Sequence, residues 1–161
     1  MAIVRNGKKS VKRTEKAQEL DLTIQSLSHE AHGVGRHENK VVFVPGALPG
    51  EEVKVRLQKQ QRHFSQGQLL SIDKASEHRV EPSCPHFSRC GACQLQHLVT
   101  AEQLPYKQEN LHQQLTRQLK LSEIPWQAPI ASEGFGYRRR ARLGVRYRKQ
   151  LDEIIIGFRE E

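Results

Sequence analysis

No run in this 161-residue chain approaches the roughly 20 consecutive apolar residues that a membrane span requires, which excludes an apolar spanning helix. The amino terminus, MAIVRNGKKSVKRTEK, lacks the apolar core and small-residue cleavage site of a secretory signal, so the expected compartment is the cytoplasm. Apolar residues are scarce at 36%, which excludes a large core and leaves one ordinary domain or two small ones. Cysteine is scarcer still. An odd count of three in a reducing compartment argues against a disulfide framework and for metal binding or redox chemistry. There is no internal repeat, and no glycine-rich strand-to-helix turn for a nucleotide-type cofactor.

Positive charge is abundant: 26 Lys and Arg stand against 18 acidic residues, a formal charge of +8. Arg5, Lys8, Lys9, Lys12, Arg13 and Lys16 fall among the first sixteen positions with few apolar neighbours, which predicts a disordered basic arm over residues 1–16. A second concentration, GYRRRARLGVRYRKQ at 136–150, alternates instead. Arg138, Arg140, Arg142, Arg146 and Arg148 occupy every second position apart from Gly144, with Arg139 the exception among the apolar positions between them. Period two predicts a strand that buries one face and presents guanidinium groups on the other. A row of like charges calls for an anion, and arginine matches phosphate bidentately, so RNA or DNA is the expected partner rather than mere protection of a sheet edge.

Short strand-like runs at 22–27, 40–46, 51–58 and 64–72 are punctuated by turn signals at HGVG (32–35), HEN (37–39) and PGALPGE (45–51). This spacing predicts a small closed barrel of the OB type over residues 17–75. Lys59, Arg62, His63 and Phe64 place a basic loop before an aromatic strand start, so Arg62 and Phe64 are candidate RNA-binding residues. A connector then leads into the cysteine loop, residues 76–98. Residues 99–120 predict a helix with Thr100 and Gln103 as a capping box, Pro105 kinking or delaying its start, and Leu104, Leu111, Leu115 and Leu119 on a core-facing stripe. A loop and a hairpin closed by IIIGFR (154–159) complete a mainly β chain with one helix.

The stretch CPHFSRCGACQLQH spaces Cys84, Cys90 and Cys93 as C-x5-C-x2-C, with small Gly91 and Ala92 letting the last two sulfurs meet one metal. Two metal readings follow. His97 or His86 completes a Cys3His zinc site, or the three thiolates hold an iron-sulfur cluster whose fourth ligand lies elsewhere. A redox pair of Cys90 and Cys93 is a third reading, which leaves the arginine row unexplained.

The ordered succession of a basic arm, GVGRHENKVVFVPGALPGEEV, CPHFSRCGACQLQH and GYRRRARL resembles the amino-terminal half of the iron-sulfur type of 23S rRNA (uracil-5-)-methyltransferases. The resemblance covers nearly everything from Leu22 onward. It implies that the barrel is a TRAM domain, that Cys84, Cys90 and Cys93 ligate a 4Fe-4S cluster, and that residues 99–161 begin an incomplete α+β central domain that binds RNA. Arg138, Arg139, Arg140 and Arg142 would then meet 23S rRNA, with no membrane involved and the chain monomeric. In the family a fourth cysteine follows shortly after the strand matching IIIGFR. The methyl donor S-adenosylmethionine and all catalytic residues belong to a Rossmann-like domain outside this sequence, so the chain alone is expected to be inactive. A transfer-RNA uracil-5-methyltransferase fragment and a stand-alone RNA-binding module with a structural zinc are the alternatives.

Overall fold

A computed structural model of the chain describes residues 3–4, 18–121 and 123–160. The elements run β1 (Ile3–Val4), β2 (Glu19–Thr23), β3 (Ser26–Leu27), β4 (Gly33–His37), β5 (Lys40–Val44), β6 (Glu52–Gln60), β7 (Phe64–Lys74), α1 (Thr100–Leu119), β8 (Gly144–Arg148) and β9 (Glu153–Arg159). The six basic residues of the arm lie outside the described residues, whereas the backbone of Ile3–Val4 pairs in parallel with β9.

β2 and β3 are two halves of one bent strand. β2 pairs antiparallel with β6 and β3 with β4, while the Gln25 N–H donates to Val34 O beside the bend. Because β6, β7, β5 and β4 are hydrogen-bonded in that order, the bent strand joins the two ends of the sheet and makes it barrel-like, as the spacing of short strands and turns predicts. Alternate residues point inward: Leu22, Val42, Val44, Val53, Val55 and Leu57 gather with Ile24 and Ala47 into the principal core.

HGVG is not the turn that its glycines suggest. Gly33 and Gly35 lie inside β4, facing the core. A Cβ on Gly33 would come within 2.9 Å of the Ala47 Cβ, and one on Gly35 within 2.6 Å of Leu22 Cγ. The glycines mark close approach within a strand. Turns do form at the other signals. Glu38 and Asn39, both with positive φ, make the two-residue hairpin between β4 and β5. Gly46 and Gly50 follow prolines in successive tight turns with φ of 80° and 82°.

Those two turns anchor the connector. Glu51, wholly buried, accepts hydrogen bonds from Leu48 N at 2.8 Å and Ser76 N at 3.2 Å, and is paired with Arg79 through Nε and Nη2. Arg79 Nη2 also donates to Gly46 O at 2.7 Å. Burial would raise the Glu51 pKa, but Arg79 and the two amides outweigh it and hold the carboxylate below its ordinary range. Alongside lies a second apolar cluster, in which Leu27 and Leu48 of the barrel meet Leu98, Leu95 and Tyr106.

His97 is buried beside this pair, its ring 5.2 Å from that of Phe87, and neither ring nitrogen has a hydrogen-bond partner among the described residues. Burial first, then the Arg79 guanidinium, push the imidazole down to about 4 against a smaller opposing pull from Glu51.

The helix spans Thr100–Leu119, but the capping box does not form. Val99 rather than Thr100 is the N-cap, with no side-chain cap hydrogen bond, and its N–H donates to His78 O of the connector. Gln103 Nε2 reaches back instead to Leu95 O and Leu98 O. Pro105 sits inside the helix without delaying its start. The leucine stripe is not core-facing among the described residues: no helix residue is buried, and Tyr106, near the helix start, is the one that packs on the second apolar cluster.

β8 and β9 form the expected hairpin, turning at residues 149–152 with Asp152 at φ 50°. The arginine strand is much shorter than the alternation predicts. Residues 137–143 are not strand, because the ladder stops at Gly144 opposite Gly157, and further along β9 Arg159 O accepts from Gly91 N of the cysteine loop. Nor is the alternate apolar face buried: Val145, Tyr147, Ile154 and Ile156 are all more than half exposed.

Two outcomes are expected. Gly35→Ala must displace Leu22 and should lower stability by about 1–3 kcal/mol, read as the urea midpoint; an unchanged midpoint would contradict the close-approach role. The His97 ring stays neutral in the fold down to about pH 4, whereas the unfolded chain takes up that proton near 6.5. The unfolded state then binds more protons, so stability should fall as pH drops from 6.5 towards 4, by about 3 kcal/mol at most. His97→Leu should flatten that decline in pH-dependent unfolding, and a wild-type pH profile in this variant would absolve the ring.

Candidate nucleic-acid interface and cysteine loop

The barrel presents its candidate residues at the tip of the β6–β7 hairpin. Arg62 and His63 are exposed where the hairpin turns, and Phe64 begins β7 with its side chain opposite in direction to inward Ser65. Register puts Val41 of β5 beside Phe64, which places Phe43 on the same outer face. The two phenyl rings meet edge to face at 5.7 Å between centroids. Phe43 escapes a reading of the sequence because it sits in an apolar run, KVVFV, where nothing distinguishes an outward residue until the register is known. An aromatic pair flanked by an exposed basic turn is a surface on which a base can stack and a phosphate can be held.

The arginine segment is separate from that face. Arg138, Arg139, Arg140 and Arg142 are all exposed, on extended chain rather than in a ladder. Arg138 lies over the Tyr137 ring, 5.7 Å from its centroid. Arg139, Arg140 and Arg142 form no hydrogen bond or ion pair among the described residues. By contrast Arg148, on β8, is held by Glu153 at 3.0 Å. Off the strand, these guanidinium groups are free to follow the curved path of a phosphate backbone, at the cost of the fixed spacing a strand would impose.

The cysteine loop is a chain of turns. Phe87 N donates to Cys84 O, and Arg89 N and Cys90 N both donate to His86 O, while Cys84 N is held by Gln96 Oε1 at 3.3 Å. Cys90 forms an antiparallel bridge with Glu160, so the end of β9 lies along the loop. All three thiols are free, Cys84 and Cys90 half-buried and Cys93 exposed. The donor set, three soft thiolates on one short polar loop, suits an iron-sulfur cluster or zinc by its chemistry. The geometry does not yet gather it: among the described residues no group of three or more His, Cys, Asp and Glu is placed to hold a metal ion. His97 is buried with neither ring nitrogen partnered among the described residues, and it is not gathered with the thiols into such a group.

Comparison with known proteins agrees with the motifs. Residues 13–70 match the TRAM domain family. The chain is 40% identical over 151 residues to the 23S rRNA (uracil(1939)-C(5))-methyltransferase RlmD of Pseudoalteromonas translucida, covering 94% of this chain and 34% of that relative. It is 45% identical over 144 residues to the protein of the same name from Acidithiobacillus ferrooxidans, covering 89% of the chain and 32% of the relative. For that of Vibrio parahaemolyticus the identity is 42% over 138 residues, covering 86% and 31%. The chain therefore spans about a third of the length of the curated relatives it matches, and corresponds to their amino-terminal part. Among the described residues no helix is long and apolar enough to cross a membrane.

Proposed function

We propose that this chain is the RNA-binding amino-terminal portion of an S-adenosylmethionine-dependent methyltransferase that forms 5-methyluridine in 23S rRNA, acting as a monomer in the cytoplasm. The observation that carries the reading is the run of exposed guanidinium groups at Arg139, Arg140 and Arg142, without a partner among the described residues, in a chain whose barrel matches the TRAM domain. With a charge of +8, the chain has the electrostatics of a polyanion binder, and the names of its relatives supply the polyanion. Arg62 and the Phe43–Phe64 pair would give a second contact on the barrel. Methyl transfer itself is assigned to the two thirds of the relatives that lie outside this span.

Cys84, Cys90 and Cys93 would supply three thiolates to a 4Fe-4S cluster. Support comes from the Cys90–Glu160 bridge, which lays the backbone after β9 against the loop, where the resemblance expects a fourth cysteine to follow. Such a cluster, when bound, supplies a covalent staple between loop and hairpin. The chain's own residues hold the loop against β9 through the Gly91 N–H to Arg159 O bond and keep Cys84 turned by the Gln96 amide.

If these arginines bind phosphate, Arg140→Ala and Arg142→Ala should each weaken RNA binding and reduce the slope of log K against log salt by about one. An unaltered slope in both variants would remove them from the interface. Chain purified without oxygen should hold metal through its thiolates, and Cys90→Ser should release it; full metal content in that variant would exclude Cys90 as a ligand.

A further inference from the structure

Between the cysteine loop, the first turns of α1 and the segment Gly134–Arg138 lies an open cavity of about 530 Å³. That volume falls within the roughly 300–1,000 Å³ typical of small-ligand sites. Its wall is built by close approach: a Cβ on Gly134 would come 2.9 Å from Thr100 Cγ2, so only glycine lets this segment lie against the helix start. Gly136, at φ 73°, then turns the chain between Phe135 and Tyr137. Both aromatics line the cavity and remain 62% exposed, Tyr137 with the Arg138 guanidinium over its ring, so both offer ring surface on which a base can stack.

The polar lining is oriented as well as present. Gln103 spends its amide hydrogens on Leu95 O and Leu98 O, which fixes the nitrogen and leaves Oε1 as an acceptor. Gln96 uses Oε1 to accept from Cys84 N, which leaves its amide nitrogen as a donor. Both glutamines line the cavity, as does Cys93, and Lys107 and Arg138 outnumber the single carboxylate of Glu81 in its lining. Flat rings, a donor and an acceptor held by the fold, and cations match one chemical object: a nucleotide, with its base on the aromatics and its phosphate at the cations.

We propose that this cavity is a subsite for one unstacked nucleotide of single-stranded RNA. The subsite rests on the RNA-binding reading above and adds to it a place where a base is taken up individually. Its aromatic rings act by stacking, which involves no phosphate contact, whereas Arg139, Arg140 and Arg142 act through phosphate charge. The two mechanisms leave different signatures in salt.

The test uses the 161-residue chain and a short fluorescein-labelled single-stranded oligoribonucleotide of mixed sequence containing 5-iodouridine, titrated between roughly 50 and 200 mM salt. Phe135→Ala and Tyr137→Ala should each weaken binding roughly fivefold to a hundredfold with the salt slope unchanged. Irradiation of the wild-type complex should crosslink the RNA to Phe135 or Tyr137. Both side chains are exposed, so urea midpoints should stay near wild type, and the crosslink needs no variant at all. Wild-type affinity in both aromatic variants, or crosslinks confined to other segments, would overturn the subsite while arginine-dependent binding upheld the broader reading. No RNA binding by the wild-type chain would overturn both.

Discussion

The pairing of buried Glu51 with partly exposed Arg79 is the contact on which the arrangement of this molecule depends. Glu51 closes the two proline-glycine turns of the barrel, and Arg79 belongs to the connector that leads to the cysteines. Their pairing, with the bonds to Leu48 N, Ser76 N and Gly46 O, leaves no carboxylate oxygen without a partner. An ion pair with one partner fully buried is weak as a source of stability, because desolvation offsets much of the attraction. What such a pair does well is exclude alternatives, since any other docking of the connector strands a charge in the interior. Leu27, Leu48, Leu98, Leu95 and Tyr106 then add the apolar area that holds the junction closed.

From that junction the candidate surfaces follow. The connector's His78 carbonyl receives the N–H of Val99 and so sets where α1 begins. The helix start in turn receives the glycine of the Gly134 segment, and the cysteine loop receives the end of β9. Aromatic and cationic groups are thereby distributed over two separate regions, the hairpin tip of the barrel and the segment beyond the helix, with the thiols beside the second. A surface of this kind suits a long, irregular polyanion better than a compact ligand.

Much of the barrel was readable from sequence because its strands alternate and its turns carry proline, glycine and asparagine at positions with a backbone reason for them. β4 was not, because Gly33 and Gly35 imitate a turn until the closeness of Ala47 and Leu22 is known. The arginine segment shows the opposite error. Alternation from Tyr137 to Arg148 is genuine, but a strand also needs a neighbour, and β9 supplies one only from Gly144 onward. The leucine stripe of α1 and the apolar face of the hairpin likewise satisfy a pattern without a described layer to cover them. Glu51 and Arg79 were invisible in the sequence: two charged residues 28 positions apart carry no local sign that they will meet. The three cysteines were found by spacing alone, whereas the ligand geometry that spacing implies is not assembled by the described residues.

The most direct test of the account is to crosslink the chain to total cellular RNA and sequence what is captured. The account predicts enrichment of 23S rRNA over both 16S rRNA and transfer RNA, confined to a small region and lost when Arg140 and Arg142 are replaced together. Capture that is uniform across RNA classes, or concentrated on transfer RNA, would contradict the assignment to the large ribosomal subunit.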